Sequence, residues 1–306
     1  MDYSLVLLYS LLFMYLNERF LKWLYFSTLV VLFGSAFVLI ELSLNSFSPT
    51  QIAFFRVFFA SIFLLIYSSI KGYKLNFIYR YFNLLFVLGL SGTTIPFFLI
   101  SWAQQTISSS ETGILIGFMP LFTVLGSHYF FKYEKLNFSK ILGFIIGFLG
   151  LLILLLNNNE NINFFNNIYS KVAVIISAFF YALNALLVKK IDNIEVIPLS
   201  AVVMLISSLQ LIFLSIFSGE IYLIRGELYL NALISIIVLS ILSTAIATVL
   251  YYKIIQNYGP NFLSLVNYPI PVFAFFAGIL FLKEQFNFYS ILSLVLVIIS
   301  IYISRK

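Results

Sequence analysis

Ten stretches of this chain each run about 20 apolar residues, enough to cross the hydrocarbon core of a bilayer as a helix. Lipid offers no partner for backbone N–H and C=O groups, so such runs have little choice but to be helical. They fall at 22–44, 49–70, 81–104, 109–131, 138–156, 171–189, 196–217, 229–253, 260–282 and 286–304. The expected fold class is therefore all-α integral membrane. With 62% hydrophobic and 9% charged residues and a mean hydropathy of +1.07, no water-soluble surface could be assembled from the remainder.

The Lys and Arg residues mark the orientation. On the side shared by both termini lie Arg19, Lys22, Lys71, Lys74, Arg80, Lys132, Lys135, Lys140, Lys189, Lys190, Lys253, Arg305 and Lys306. The opposite side holds Lys171, Arg225 and Lys283, and Arg56 lies inside a span. By the positive-inside rule both termini are expected in the cytoplasm, with the chain multi-pass in the cell (plasma) membrane. Residues 1–21 read as an interfacial N-terminal extension: 3–16 are apolar but too short to span, and Glu18, Arg19 and Lys22 follow. A start at Met14 is the other reading of this stretch.

The chain repeats itself. "PLFTVLGSHYFFKYEKLNF", from Pro120, returns as "PVFAFFAGILFLKEQFNF", from Pro271. Pro120 aligns with Pro271, Phe122 with Phe273, Lys132 with Lys283 and, with one residue skipped, Glu134 with Glu284. Each phrase closes the fourth span of a group of five. The Asn-rich stretch 157–170 lies between the groups and reads as a linker, leaving repeat 1 at 22–156 and repeat 2 at 171–306. An odd number of spans per copy makes the second enter the membrane from the opposite side. Ten transmembrane helices in two inverted five-helix repeats are an architecture of alternating-access carriers, with substrate bound near the midplane between the halves.

In these same phrases the chain resembles the drug/metabolite transporter superfamily and, within it, the EamA family. The resemblance rests on "LFGSAF" (Leu32–Phe37), "SPTQIAFFR" (Ser48–Arg56), the Ser109–Leu136 and Asn257–Phe286 segments and "GFIIGFLGLLIL" (Gly143–Leu154). It covers 22–304 and implies a permease of two five-helix EamA domains, with export as the direction. Phe33 stands where such proteins often carry Trp, and Ser293 where the first half has Gly143.

Polar residues at depth are costly in lipid and are therefore site candidates. Arg56 sits well inside the second span, roughly two helical turns below its outer end. It can meet a substrate carboxylate or phosphate, or hold backbone carbonyls where helices meet. Ser35, Thr94, Tyr181, Asn184, Thr248, Tyr251, Asn267 and Tyr268 are the uncharged binding candidates, each of which can equally be a helix-packing residue. Pro96, Pro120, Pro269 and Pro271 free carbonyls one turn earlier and are candidate hinges. His128 can serve proton coupling or packing. No Asp or Glu falls near a midplane, which favours facilitated diffusion or exchange over proton-driven antiport.

The expected function is a secondary transporter for a small metabolite, amino acids or similar amphipathic compounds above all. The alternative is a nucleotide-sugar or sugar-phosphate carrier, for which more Lys and Arg would be expected at depth. A membrane-embedded transferase would need clustered carboxylates or His/Asp pairs at one interface, and these are missing, so the chain is not expected to be an enzyme. Scattered cations exclude a nucleic-acid grip. Without cysteine and with one histidine, no Cys/His metal site exists and no cofactor is expected. The expected partners are the small-molecule substrate and the lipid bilayer, with the chain a monomer or weak homo-oligomer. A fluorescent protein fused after Lys306 should fluoresce and alkaline phosphatase fused there should stay inactive; the reverse pattern would refute the orientation.

Overall fold

The computed structural model describes residues 3–130, 137–157, 167–191, 194–219, 227–273 and 288–304, and among them every regular element is helical. Seven helices among these residues are long and apolar enough to cross a membrane: Glu18–Ser43, Pro49–Ile70, Phe77–Ala103, Glu111–Phe130, Ile168–Val188, Val196–Phe217 and Leu230–Tyr258. A shorter apolar helix covers Phe138–Gly150. Helix Phe288–Ser304 falls where a tenth span is expected. Of the ninth, only 260–273 is described, and the Glu134 and Glu284 loops lie outside the described residues.

Helix starts follow local chemistry. The first helix, α1 (Tyr3–Ser43), runs unbroken through the stretch read as a separate extension. Ser48 caps α2 (Pro49–Ile70) in a capping box: its hydroxyl accepts from the Gln51 N–H at 3.3 Å, and its own N–H donates to Gln51 Oε1 at 3.0 Å. Pro49 follows at the first helical position, where its missing N–H costs nothing. Ser108 accepts from the Glu111 N–H in the same way, at 3.1 Å.

Four of the described spans are interrupted, and the π segments of the third and eighth occupy matched places. The third span is α3 (Phe77–Gly89), a π-helical turn at Leu90–Thr94, and α4 (Ile95–Ala103). The fourth, expected as one helix, is α5 (Ser109–Ile116) and α6 (Met119–Phe130), broken just before Pro120. Then come α7 (Phe138–Asn157), α8 (Ile168–Val188) and α9 (Val196–Ser218). The eighth span is α10 (Leu230–Ser240), a second π segment at Ile241–Ile246, and α11 (Ala247–Tyr258). After α12 (Pro260–Ser264) a 3-10 turn, Leu265–Asn267, precedes Pro269 and Pro271, and α13 (Phe288–Ser304) ends the description.

The π segments begin at Leu90 and Ile241, separated along the chain by the same interval as Pro120 and Pro271. Packing follows that interval. α2 lies on α9 and α7 on α13, each joining equivalent elements of the two halves, while α4 packs on α8 as α11 packs on α1.

A π turn leaves a carbonyl out of register with the α-helical ladder, and lipid cannot cover it. Asn184 on α8 covers one by donating from Nδ2 to the Leu88 carbonyl at 3.0 Å. It reaches so close because residue 92 is glycine: a Cβ there would stand 2.5 Å from Asn184 Nδ2. Gly92→Ala should therefore displace the amide and leave the carbonyl uncovered, lowering stability by about 1–3 kcal/mol. A thermal unfolding midpoint within error of the parent would contradict this.

A central cavity around Arg56

Arg56 lies on α2 and is 3% exposed. Its Nε donates to Thr244 Oγ1 in the second π segment at 3.1 Å, and its guanidinium carbon sits 3.6 Å above the Phe97 ring centre. Thr244 in turn donates to the Leu239 carbonyl at 2.8 Å, five residues back, so one hydroxyl both covers the π segment's carbonyl and holds the arginine. Tyr181 of α8 stands beside the group, its ring edge-on to Phe97 at 6.5 Å. Tyr251 of α11 donates from its hydroxyl to the Tyr181 carbonyl at 3.2 Å and packs edge-on against Phe33 of α1 at 6.3 Å.

Arg56, Tyr181, Tyr251 and Phe33 lie on the wall of a cavity of about 50 Å³, room for a few water molecules. Phe33, Ala36, Phe37 and Ile40 of α1 form one wall, and Arg56, Ile100, Tyr181 and Tyr251 another. Ile116 and Met119 flank the break before Pro120; Leu263, Val266, Asn267 and Ile270 flank the break around Pro269. Asn267 Nδ2 donates to the Ser264 carbonyl and to Met119 Sδ, both at 3.0 Å, tying the two interrupted spans together.

Of the residues expected to bind substrate, the structure brings Arg56, Tyr181, Tyr251 and Asn267 to this cavity. The others lie elsewhere. Ser35 bonds the Leu32 carbonyl and pairs with Ser243 at 3.3 Å. Thr94 donates to Gln210 Oε1 on α9 at 2.6 Å, and Asn184 serves the first π segment. Thr248 is buried outside the lining. Tyr268 donates to the Phe144 carbonyl at 3.2 Å and lines a second, apolar cavity of about 370 Å³ between α6 and α7. His128 lies in the last turn of α6, against Tyr129. Each candidate hinge proline follows an irregular turn: Pro96 the first π segment, Pro120 the break at 117–118, and Pro269 and Pro271 the 3-10 turn.

Sequence reasoning missed Phe97 and Met119. Phe97 directly follows Pro96, and Met119 directly precedes Pro120; adjacency to a freed backbone was the available signal.

The charge on Arg56 is poorly compensated. Among the described residues the one ion pair is Lys171–Glu111, at 3.0 Å. An aromatic face returns about 2 kcal/mol to a desolvated cation, against an effective cost of several kcal/mol per buried ion. The matched site in the other half carries no charge. Ser207 follows Arg56 by the interval that separates the two prolines, and it shares a short hydrogen bond with Thr93, the counterpart of Thr244. Thr244→Val should consequently cost about 1–3 kcal/mol and exceed Thr93→Val, since only the former strips a partner from a buried cation. Equal shifts in the two unfolding midpoints would argue against that difference.

Comparison with known proteins gives a consistent picture. The model of the EamA-like transporter family matches twice, over residues 6–156 and 169–305. An uncharacterized transporter of Archaeoglobus fulgidus is 26% identical over 282 residues, 92% of this chain and 98% of its own. Uncharacterized transporter YoaV of Bacillus subtilis is 22% identical over 284 residues, covering 90% and 94%. Uncharacterized inner membrane transporter YedA of Escherichia coli is 25% identical over 252 residues, covering 82% and 79%. A solved crystal structure superposes with a TM-score of 0.77 at 14% identity, over 92% of this chain and 96% of that one, a likeness of fold.

Proposed function

The chain belongs to the EamA-like transporter family, and from that premise we propose that it is a secondary carrier working by alternating access around the Arg56 cavity. One observation carries the reading: π segments recur at the spacing of the internal repeat, and the cavity lies where the third, fourth, eighth and ninth spans break or pass. Interrupted helices at a midplane expose backbone and allow each half to rock against the other. Five spans per copy invert the second relative to the first, so the same device faces opposite sides of the membrane.

The substrate is a small amphipathic metabolite, amino acids included, held by the aromatic walls with Arg56 as its charged contact. Export across the plasma membrane, with both termini cytoplasmic, completes the proposal. Arg56 is the single cation on the cavity wall among the described residues, which disfavours a nucleotide-sugar or sugar-phosphate cargo.

Contacts tie together elements that carry the cavity lining. Toward the outer face, Lys171 pairs with Glu111 and Gln104 Nε2 donates to the Phe37 carbonyl at 3.1 Å. Toward the inner face, Lys22 stands 4.0 Å above the Phe262 ring. Loosening the ties on one side would let that side open.

The chain contains no cysteine, so Ala36→Cys alone introduces one thiol into the cavity wall. In membrane vesicles of either orientation, an impermeant thiol reagent should label it from both faces. Adding Glu111→Gln, which loosens the outer tie, should raise the outside rate and lower the inside rate. Labelling from one face only, or rates rising together on both faces, would defeat alternating access.

A further inference from the structure

We infer that the cavity selects a small monocarboxylate with an apolar or aromatic body over the matching zwitterion or amine; this rests on the carrier reading above. Arg56 is almost wholly buried and spends only Nε, on Thr244. Its two terminal nitrogens find no acceptor among the described residues, and they belong to a side chain that lines the cavity. A guanidinium presents a planar fork that matches the two oxygens of a carboxylate.

The charge is not what the fold requires at this place. Ser207 and Thr93 join the equivalent helix and π segment of the other half with two hydroxyls alone. Arginine at 56 therefore adds to the scaffold something the scaffold does without elsewhere, a buried positive charge beside a cavity.

The rest of the lining decides which anion. No acidic side chain lies on the wall among the described residues, so an ammonium group entering with the carboxylate would meet no countercharge. Tyr251 has already given its hydroxyl proton to the Tyr181 carbonyl, and Asn267 its amide protons to Ser264 and Met119. Besides the Tyr181 hydroxyl, which can meet a carboxylate oxygen next to Arg56, what remains is Phe33, Phe37, Ile40 and other apolar surface, suited to a hydrocarbon body. One cation balances one negative charge, which favours a monoanion over a dianion.

Two matched sets of probes separate the charges at constant skeleton: propanoate, alanine and ethylamine, and 3-phenylpropanoate, phenylalanine and 2-phenylethylamine. With the purified full-length protein, ligands favouring the native state raise its thermal unfolding midpoint. In at least one set the carboxylate should act at concentrations about tenfold below the zwitterion, with the amine inert. Arg56→Gln should abolish the response; if it does not fold, Arg56→Lys should weaken the response while keeping the order. A zwitterion equal to or better than its carboxylate in both sets, no response to either carboxylate, or an unchanged response in the Arg56 variant that folds would overturn the inference. Thiol labelling of the Ala36→Cys protein reads out the carrier mechanism without these ligands, so the two can fail separately.

Discussion

A backbone carbonyl in hydrocarbon has no water to turn to, and this constraint organises where the protein places its polar side chains. At the described breaks in the α-helical ladder, side chains cover exposed carbonyls. Asn184 covers Leu88, Thr244 covers Leu239 and Asn267 covers Ser264. Few polar groups at depth are left over for any other purpose. The breaks are tolerable because they are covered, and the cavity exists because breaks from both halves of the chain meet around it.

The two halves use one scaffold with different chemistry. Arg56 with Thr244 occupies the place that Ser207 with Thr93 occupies in the other half. Lys171 meets the carboxylate of Glu111, while Lys22 meets the ring of Phe262, which holds the position in the second repeat that Glu111 holds in the first. A buried ion pair and a cation over a ring differ in strength and in sensitivity to water entering the site. In a carrier that alternates between two conformations, as proposed, such unequal contacts would set which is favoured and at what cost.

Much of this was legible in the residues. Seven of the ten expected spans, found as long apolar helices among the described residues, followed from apolar run length, the internal repeat from Pro120 and Pro271, and the candidate list from polar residues at depth. Arg56, Tyr181, Tyr251 and Asn267 reached the cavity, whereas Ser35, Thr94, Asn184, Thr248 and Tyr268 did not. The division has a physical reason. Counting residues along a span gives depth, because the rise per residue is fixed, but which way a side chain points depends on how its helix is rotated against its neighbours. Phe97 and Met119 escaped notice because an apolar side chain at depth resembles every other one until a cation or an amide is seen resting on it.

By itself the sequence determined that the chain is helical and multi-pass and that it says one thing twice, because apolar length and repeated residues are local properties. Tertiary structure decided what continuous apolar runs conceal: that the third and eighth spans carry π segments at matched positions, and that a hydroxyl from one of them meets Arg56 from the other half. Nothing in a run of Leu, Ile, Ser and Thr marks where its ladder will slip from α to π. The neighbour that covers the displaced carbonyl makes the slip stable, and the residues that meet there come from opposite halves of the chain.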